Sequence, residues 1–312
     1  MRNKILISTS SFDVASCKSL SKIAASGFEI VLNPRGRRLT ESEAKALLSD
    51  EVVAMIAGVE PLTRDVLTAA KKLRVISRCG TGMDSVDAAA AAELGMWVKN
   101  TPDAPAAAVA ELTLGMMLNT LRRLAEADRG IRANRWSPLM GRLMSEQAVG
   151  LVGFGRVGRR VARLVRAFGA RVIAYDTQQT SAEEGVEFRS LGEVISMADV
   201  LSLHVPYAAT LHHLLDRKKI AAMKPGAILI NAARGGLIDE AALLDALQAG
   251  RLAGAALDCF ETEPYSGALA ALPQVLLTAH MGSYAKEARQ LMEQEAADNL
   301  LQGLAAQGLM KG

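Results

Sequence analysis

The chain has 312 residues, of which 50% are hydrophobic, 22% charged and 4% aromatic, and its formal net charge is +3. That composition excludes a disordered or fibrous protein and fits a soluble globular one. The small charge and the scarcity of aromatic rings argue against a nucleic-acid partner or a membrane surface, and the length predicts two domains.

In chain order, short β-rich runs alternate with helical patterns. Strands are expected at Ile5-Ile7, Glu29-Leu32, Val52-Ala57, Leu73-Ser77 and Trp97-Lys99, with helices over Glu41 to Ser49 and Thr63 to Lys72 between them. Alternation at this spacing implies βαβ units and a parallel sheet. One long helix is predicted from Ala106 to Arg132, apolar on several faces and therefore covered by its own core or by a second subunit. A second alternating series follows, with strands at Ala148-Val152, Arg171-Tyr175, Val200-His204, Ala227-Ile230, Ala253-Leu257 and Val275-Leu277. The segment Lys286 to Gly312 reads as helix and is open to packing on either domain. Taken this way, two parallel-sheet domains stand in series.

The segment "AVGLVGFGRVGRRVARLVRAFGARVIAYD" spaces Gly153, Gly155 and Gly158 as GxGxxG between an apolar strand and a helix, and a second strand ends in Asp176, 23 positions after Gly153. The first glycine permits a tight turn, the second lets the backbone approach a pyrophosphate, and the third lets helix and strand pack closely. Asp176 accepts hydrogen bonds from a ribose diol and repels a 2′-phosphate, which predicts NAD rather than NADP. The stripe Arg156, Arg159, Arg160, Arg163 and Arg166 reads as a solvated outer face with Arg156 alone near the phosphates.

His280, in "LLTAHMGS", stands just beyond a strand end, where open α/β sheets bind ligands, and is the acid–base candidate. His204, in "LSLHVP", also ends a strand and reads as structural or cofactor-lining. His212 and His213 fall in a helical stretch and are expected at the surface. In "LDCFETEP", Glu263 is the carboxylate expected beside the imidazole, fixing its tautomer and keeping a proton available near neutral pH; Glu261 reads as a solvated loop residue. Arg234, in "NAARGGLIDE", supplies a bidentate guanidinium for a 2-keto acid carboxylate. Ala232, Ala233, Gly235 and Gly236 are expected to leave room for nicotinamide and substrate. Cys17, Cys79 and Cys259 show no CxxC spacing, so neither a disulfide framework nor a metal site is expected, and a reducing compartment is. The opening "MRNKILISTSS" is too short in apolar residues for a signal-peptide core, and the richest apolar run, Pro105 to Leu121, carries Glu111, so the protein is expected in the cytoplasm.

With these residues in view, the chain resembles the D-isomer-specific 2-hydroxyacid dehydrogenases, most closely their D-3-phosphoglycerate dehydrogenase-like branch. The matching motifs run from "SRCGTGMDSVD" through "NTP", "AVAEL", "GFGRVGRRVA" and "NAARGGLIDE" to "LDCFETEP" and "LTAHMGS". The resemblance implies two Rossmann-like parallel-sheet domains, an NAD-binding domain (100–284) inserted into a flavodoxin-like substrate domain (1–99 with 285–312), which replaces the serial arrangement. It implies Arg234, Glu263 and His280 as the catalytic trio. Cofactor contacts are implied at Thr81, Arg156, Val157, Asp176, Ala232 and Asp258, together with the glycine turn, His204, Val205, Pro206, Ala233, Arg234, His280, Gly282 and Ser283. The loop Arg78, Cys79, Gly80, Thr81 and Gly82 is implied to meet the substrate together with Arg234 and His280. A homodimer built on the long helix and the Arg135-Trp136 loop is also implied.

Two departures from the pattern matter. Phosphoglycerate enzymes of the family carry a basic residue after the third strand, where this chain reads "MIAGVEPLT" with Ala57, Gly58 and Glu60, and the usual asparagine of "NTPxxN" is Pro105. The chain stops at Gly312, so feedback through an appended regulatory domain is not expected. Phosphoglycerate is the default substrate of the branch; hydroxypyruvate, glyoxylate or another substituted lactate is the enzymatic alternative, and an NAD-sensing corepressor-type binding protein is the alternative of another class.

Overall fold

Runs of aliphatic and β-branched residues form the strands of both units in the computed structural model, which describes residues 2–48, 51–178 and 183–310. One unit comprises the residues up to Pro105 together with those from Tyr284 onward, and the other is Ala106–Ser283. The second is therefore inserted into the first, with the divisions at 105/106 and 283/284.

The first unit contains β1 (Lys4–Ile7), α1 (Lys18–Ala25), β2 (Glu29–Leu32), α2 (Glu41–Leu47), β3 (Val52–Ala57), α3 (Arg64–Ala69), β4 (Val75–Arg78), α4 (Ala88–Glu93) and β5 (Trp97–Asn100). All pairings are parallel, in the order β2-β1-β3-β4-β5. This is the flavodoxin-like order, whose direction reverses between β1 and β3. Every residue of β3 is buried, as expected of a central strand covered on both faces. Helix starts follow the side-chain chemistry: Thr40 and Glu43 form a reciprocal capping box on α2, and Thr63 caps α3. Ser49, the expected end of α2, lies outside the described residues.

The second unit contains α5 (Ala106–Arg122), α6 (Leu124–Arg132), β6 (Ala148–Val152), α7 (Arg156–Ala167), β7 (Arg171–Tyr175), β8 (Val186–Phe188), α8 (Leu191–Met197), β9 (Val200–Leu203), α9 (Arg217–Ala222), β10 (Ala227–Asn231), α10 (Glu240–Gln248), β11 (Leu252–Leu257) and β12 (Val275–Leu277). Its parallel sheet has the order β12-β11-β10-β9-β6-β7-β8, with the reversal between β6 and β9. After it, α11 (Lys286–Ala306) returns to the first unit, burying Met292, Ala296, Leu300 and Leu304 in one cluster with Ile5, Val53 and Val75.

The single helix expected over 106–132 is two helices. Arg123 adopts a left-handed φ of 55°, and the Asn119 side chain accepts from the Ala125 amide at 2.8 Å. That bond gives the amide a partner outside the helical ladder, and the chain turns there. The three-residue strand β8 has no counterpart among the expected strands. Among the described residues, no helix is long and apolar enough to cross a membrane.

Candidate active site

The sheet reversal of the second unit lies between the glycine turn after β6 and the His204 segment after β9. Gly153 has φ +98°, and a Cβ there would come 2.6 Å from the His204 backbone. A Cβ on Gly158 would strike the carbonyl oxygen of Gly153, whereas a Cβ on Gly155 would meet no atom within 4 Å. Gly155 opens α7 and supplies no side-chain cap, so the first amides of the helix face that open space. This cradle fits a dinucleotide pyrophosphate.

Asp176, just past β7, accepts from the Phe154 amide through Oδ2 at 2.6 Å and from the Gln178 amide through Oδ1 at 2.7 Å. The carboxylate is thereby held against the glycine turn. Along α7, Arg159 pairs with Glu183 at 2.6 Å and lies over the Phe154 ring, while Arg156 and Arg160 are exposed and Val157 is half-buried. His204 meets the Ser202 hydroxyl through Nε2 at 2.9 Å, and burial pushes its pKa down to about 4. Val205 beyond it is half-buried and Pro206 exposed.

Arg234, Glu263 and His280 lie beyond the carboxyl ends of three neighbouring strands, β10, β11 and β12. Asn231, the last residue of β10, is fully buried and organises the first of these loops. Its Nδ2 donates to the Arg234 carbonyl at 2.8 Å, its Oδ1 accepts from the Ala233 amide at 3.0 Å, and its own carbonyl accepts from the Asp258 amide at 2.9 Å. Arg234 is half-buried, and its Nη1 donates to the Ala233 carbonyl at 2.7 Å. Asn231 was not singled out in the sequence, although an asparagine ending an apolar strand is the available signal.

The glycines after Arg234 serve packing, not the expected approach of nicotinamide and substrate. A Cβ on Gly235 would collide with the backbone of Phe260 and Glu261, and one on Gly236 would lie 2.8 Å from the Tyr207 ring.

Both oxygens of Glu263 lie 3.0 Å from His280 Nδ1, and Oε1 also accepts from the Phe260 amide at 3.1 Å. A carboxylate only accepts, so Nδ1 carries the hydrogen and Nε2 is the ring atom left for chemistry. His280 has φ 49°, left-handed for a non-glycine residue. Asp258 explains how this conformation is held. With 0% exposure, its carboxylate accepts from Thr278 Oγ1 at 2.6 Å and from the Met281 and Gly282 amides at 2.8 Å each, and its carbonyl accepts from the His280 amide at 2.8 Å. Expected at a cofactor contact, Asp258 has a carboxylate given to the turn that carries His280. Ser283 closes this unit, half-buried. Cys259 Sγ lies 3.4 Å from the Ala233 carbonyl and can bring a ligand atom within 4.8 Å of those of Glu263 and His280.

The substrate-loop candidates belong to the first unit. Arg78 and Cys79 are buried, the guanidinium bonded to the Cys79 carbonyl, and burial pushes the Cys79 thiol up to about 12. The Gly80 amide donates to Thr101 Oγ1 at 2.8 Å, while Thr81 is exposed and Gly82 half-buried. At the reversal of this sheet, Glu60 is 1% exposed. Its Oε1 accepts from the Ser8 hydroxyl and from the Gly58 amide, the latter at 3.1 Å, and Oε2 would lie 2.8 Å from a Cβ on Gly58. Thr9 is buried beside it with its hydroxyl unpartnered among the described residues.

His212 is exposed, as expected, and His213 half-buried, but neither lies in a helix. They follow a short 3₁₀ turn at Ala209–Leu211, their rings stack at 3.9 Å, and His213 Nε2 hydrogen-bonds Glu261. Glu261 is exposed but paired.

Residues 114–282 match the model of the D-isomer specific 2-hydroxyacid dehydrogenase NAD binding domain. The chain is 35% identical over 279 residues to a hydroxypyruvate reductase of Thermotoga maritima, covering 88% of this chain and 91% of that one. It is 39% identical over 258 residues to a D-3-phosphoglycerate dehydrogenase of Methanocaldococcus jannaschii, covering 80% of this chain and 49% of the relative, so it spans about half the length of that protein. The solved TT0316 protein of Thermus thermophilus is similar over 97% of both chains, with a TM-score of 0.88 and 36% identity. With the glycine cradle, the aspartate held against it and the glutamate–histidine pair already in place, the chain belongs to the D-isomer specific 2-hydroxyacid dehydrogenases.

Proposed function

We propose that this protein catalyses reversible oxidoreduction at C2 of a small, non-phosphorylated 2-hydroxy or 2-keto acid with NAD(H), and that Arg234, Glu263 and His280 are its catalytic residues. The observation that carries the reading is the Glu263–His280 pair at 3.0 Å. NAD(H), when bound, supplies the hydride chemistry. The Gly155 cradle and Asp176 are the residues to hold it, pyrophosphate on the α7 amides and ribose on the carboxylate.

In keto-acid reduction His280 delivers a proton from Nε2 to the substrate oxygen, and in alcohol oxidation it removes one there; Glu263 stabilises the imidazolium form on the opposite side of the ring. Arg234 offers a planar cation to the substrate carboxylate. Within the first unit the Gly80 amide is engaged by Thr101 Oγ1, so the amides of Thr81 and Gly82 are the donors this loop can offer a ligand.

The preference for a substrate without phosphate rests on Glu60. Where phosphoglycerate enzymes of the family carry a cation, this chain buries a carboxylate beside Ser8 and Gly58. Losing one charge-assisted contact costs about 1.5–3 kcal/mol, or roughly ten- to over a hundredfold in specificity.

A homodimer is supported by the apolar residues left uncovered on α6 and the loop after it: Leu124, Ile131 and Leu143 are exposed, as are Trp136 and Met140 at 89% each. Three buried free cysteines support residence in a reducing compartment such as the cytoplasm.

Initial rates of NADH oxidation with hydroxypyruvate, glyoxylate and phosphohydroxypyruvate test the reading. Turnover of the first two at kcat/KM comparable to the third, or above it, is expected. A thousandfold advantage for phosphohydroxypyruvate overturns the substrate class, and failure to turn over any 2-keto acid overturns the enzymatic reading.

A further inference from the structure

We propose that His213 is a positioning residue that ties the Arg234 turn to the Glu263 loop and sets the spacing of the two catalytic side chains. The inference rests on the reading of Arg234 and Glu263 as catalytic and adds to it a residue outside the proposed trio.

Two bonds from one residue reach the two loops. The His213 amide donates to the Gly236 carbonyl at 2.8 Å, two residues beyond Arg234. Its ring Nε2 bonds Glu261 Oε1, two residues before Glu263. To make both, His213 takes a left-handed φ of 51°, a conformation that non-glycine residues adopt at a cost and that persists only when the surroundings impose it.

The surroundings do impose it. The Glu261 amide donates to Glu240 Oε1 at 2.7 Å, so the Glu263 loop is bound on that side to the start of α10. Gly235 lies against the Phe260–Glu261 backbone with no space for a Cβ. On the outer side, the His212 ring stacks on that of His213 at 3.9 Å and 25°, and His212 Nδ1 meets the Tyr207 hydroxyl at 3.3 Å. The Tyr207 ring in turn packs on Gly236. Three segments distant in sequence thus interlock, and His213 bonds to both catalytic loops on their outer side, apart from the direct contact of Cys259 Sγ with the Ala233 carbonyl.

Such a clamp acts through geometry. A catalytic arginine and a glutamate that orients the acid–base histidine must keep their separation within a fraction of an ångström, since a misplacement of about 1 Å costs on the order of a hundredfold in rate. Removing the imidazole frees the Glu261 side chain and leaves its backbone held by Glu240 and Gly235 alone, which loosens the approach to Glu263, while the glycine cradle and Asp176 stay as they are.

The test compares His213→Ala, His213→Gln, Glu261→Ala and the His213→Ala/Glu261→Ala double variant in the full chain. The alanine variants are expected to lose kcat by about ten- to a hundredfold, with NADH affinity by fluorescence titration unchanged. His213→Gln, whose amide still reaches Glu261, should recover most of the loss, and the double variant should be no worse than either single one because the pair acts as a unit. Hydrogen exchange supplies a readout independent of turnover: the amides of 235–238 and 260–263 should exchange faster in His213→Ala, and those of 153–158 should not.

Wild-type kcat in His213→Ala, exchange unchanged in both loops, or a loss that follows the fall in thermal midpoint without rescue by glutamine overturns the proposal. His212, His213 and Glu261 also have ligand-type atoms within 4.8 Å of one another. Activity lost to EDTA and restored by Zn²⁺, with the effect abolished in His213→Ala, would give the cluster to a metal ion and overturn the direct clamp. An absence of turnover in the wild type refutes the enzymatic reading instead, while the exchange data still decide the clamp.

Discussion

Glu263 meets His280 with both carboxylate oxygens equidistant from Nδ1, 3.0 Å each. Nδ1 is thereby fixed as a hydrogen-bearing ring nitrogen, and Nε2 is left for the proposed proton transfer. His280→Ala should lower kcat by about 10²–10⁴, the usual worth of a positioned acid–base group. Glu263→Gln keeps the volume but removes the charge, and should lose on the order of tenfold or more with NADH affinity unchanged. Steady-state kinetics with a fluorescence titration of NADH check both; a Glu263→Gln enzyme with wild-type kcat would contradict the assignment.

Asp176 holds the Phe154 and Gln178 amides at 2.6 and 2.7 Å, so its carboxylate is fixed before any ribose arrives. Asp176→Ala should reduce kcat/KM with NAD by about ten- to a hundredfold, as expected for a lost charge-assisted bond, and narrow the gap to NADP. An unchanged ratio between the two cofactors rules out its role in the choice.

His204 has a pKa lowered by burial to about 4, below the roughly 6.5 of an unfolded histidine. Between those two values the unfolded chain binds a proton that the folded chain refuses, so acidification from about pH 6.5 to 4 favours unfolding, by at most about 3 kcal/mol. His204→Gln should flatten the dependence in that window. Urea midpoints of both proteins at pH 7 and 4.5 measure it, and parallel losses in the two would exclude His204 as a contributor.

Trp136 and Met140, 89% exposed, should be covered in solution. Light scattering at micromolar concentration is expected to give twice the chain mass, and Trp136→Asp combined with Leu143→Asp should shift the protein toward monomer. A stable wild-type monomer would refute the dimer.

The strands were legible in the sequence because strand signals are local: eleven expected strands lie where expected to within two residues at either end. The glycine turn was legible for the same reason, since each glycine answers a short-range steric demand. Asn119 was not, because its bond to the Ala125 amide is a side-chain choice that helical periodicity does not encode. Three-residue β8 is too short for a pattern to declare itself. Gly235 and Gly236 were misread because what lies against them, Phe260, Glu261 and Tyr207, arrives from distant segments. The burial of Glu60, which the sequence marks as a departure, and the His213–Glu261 pair were opaque for that reason too: each is settled by a partner roughly fifty positions away.

All three proposed catalytic residues stand on one unit, at the ends of adjacent strands, while Glu60 and the Thr81 loop stand on the other. The proposed chemistry and the proposed substrate preference thus fall in separate stretches of the gene. On the proposed assignment, a mutation after β3 is expected to change which acid is accepted while the Glu263–His280 pair keeps its geometry, so that new substrates can be explored one loop at a time.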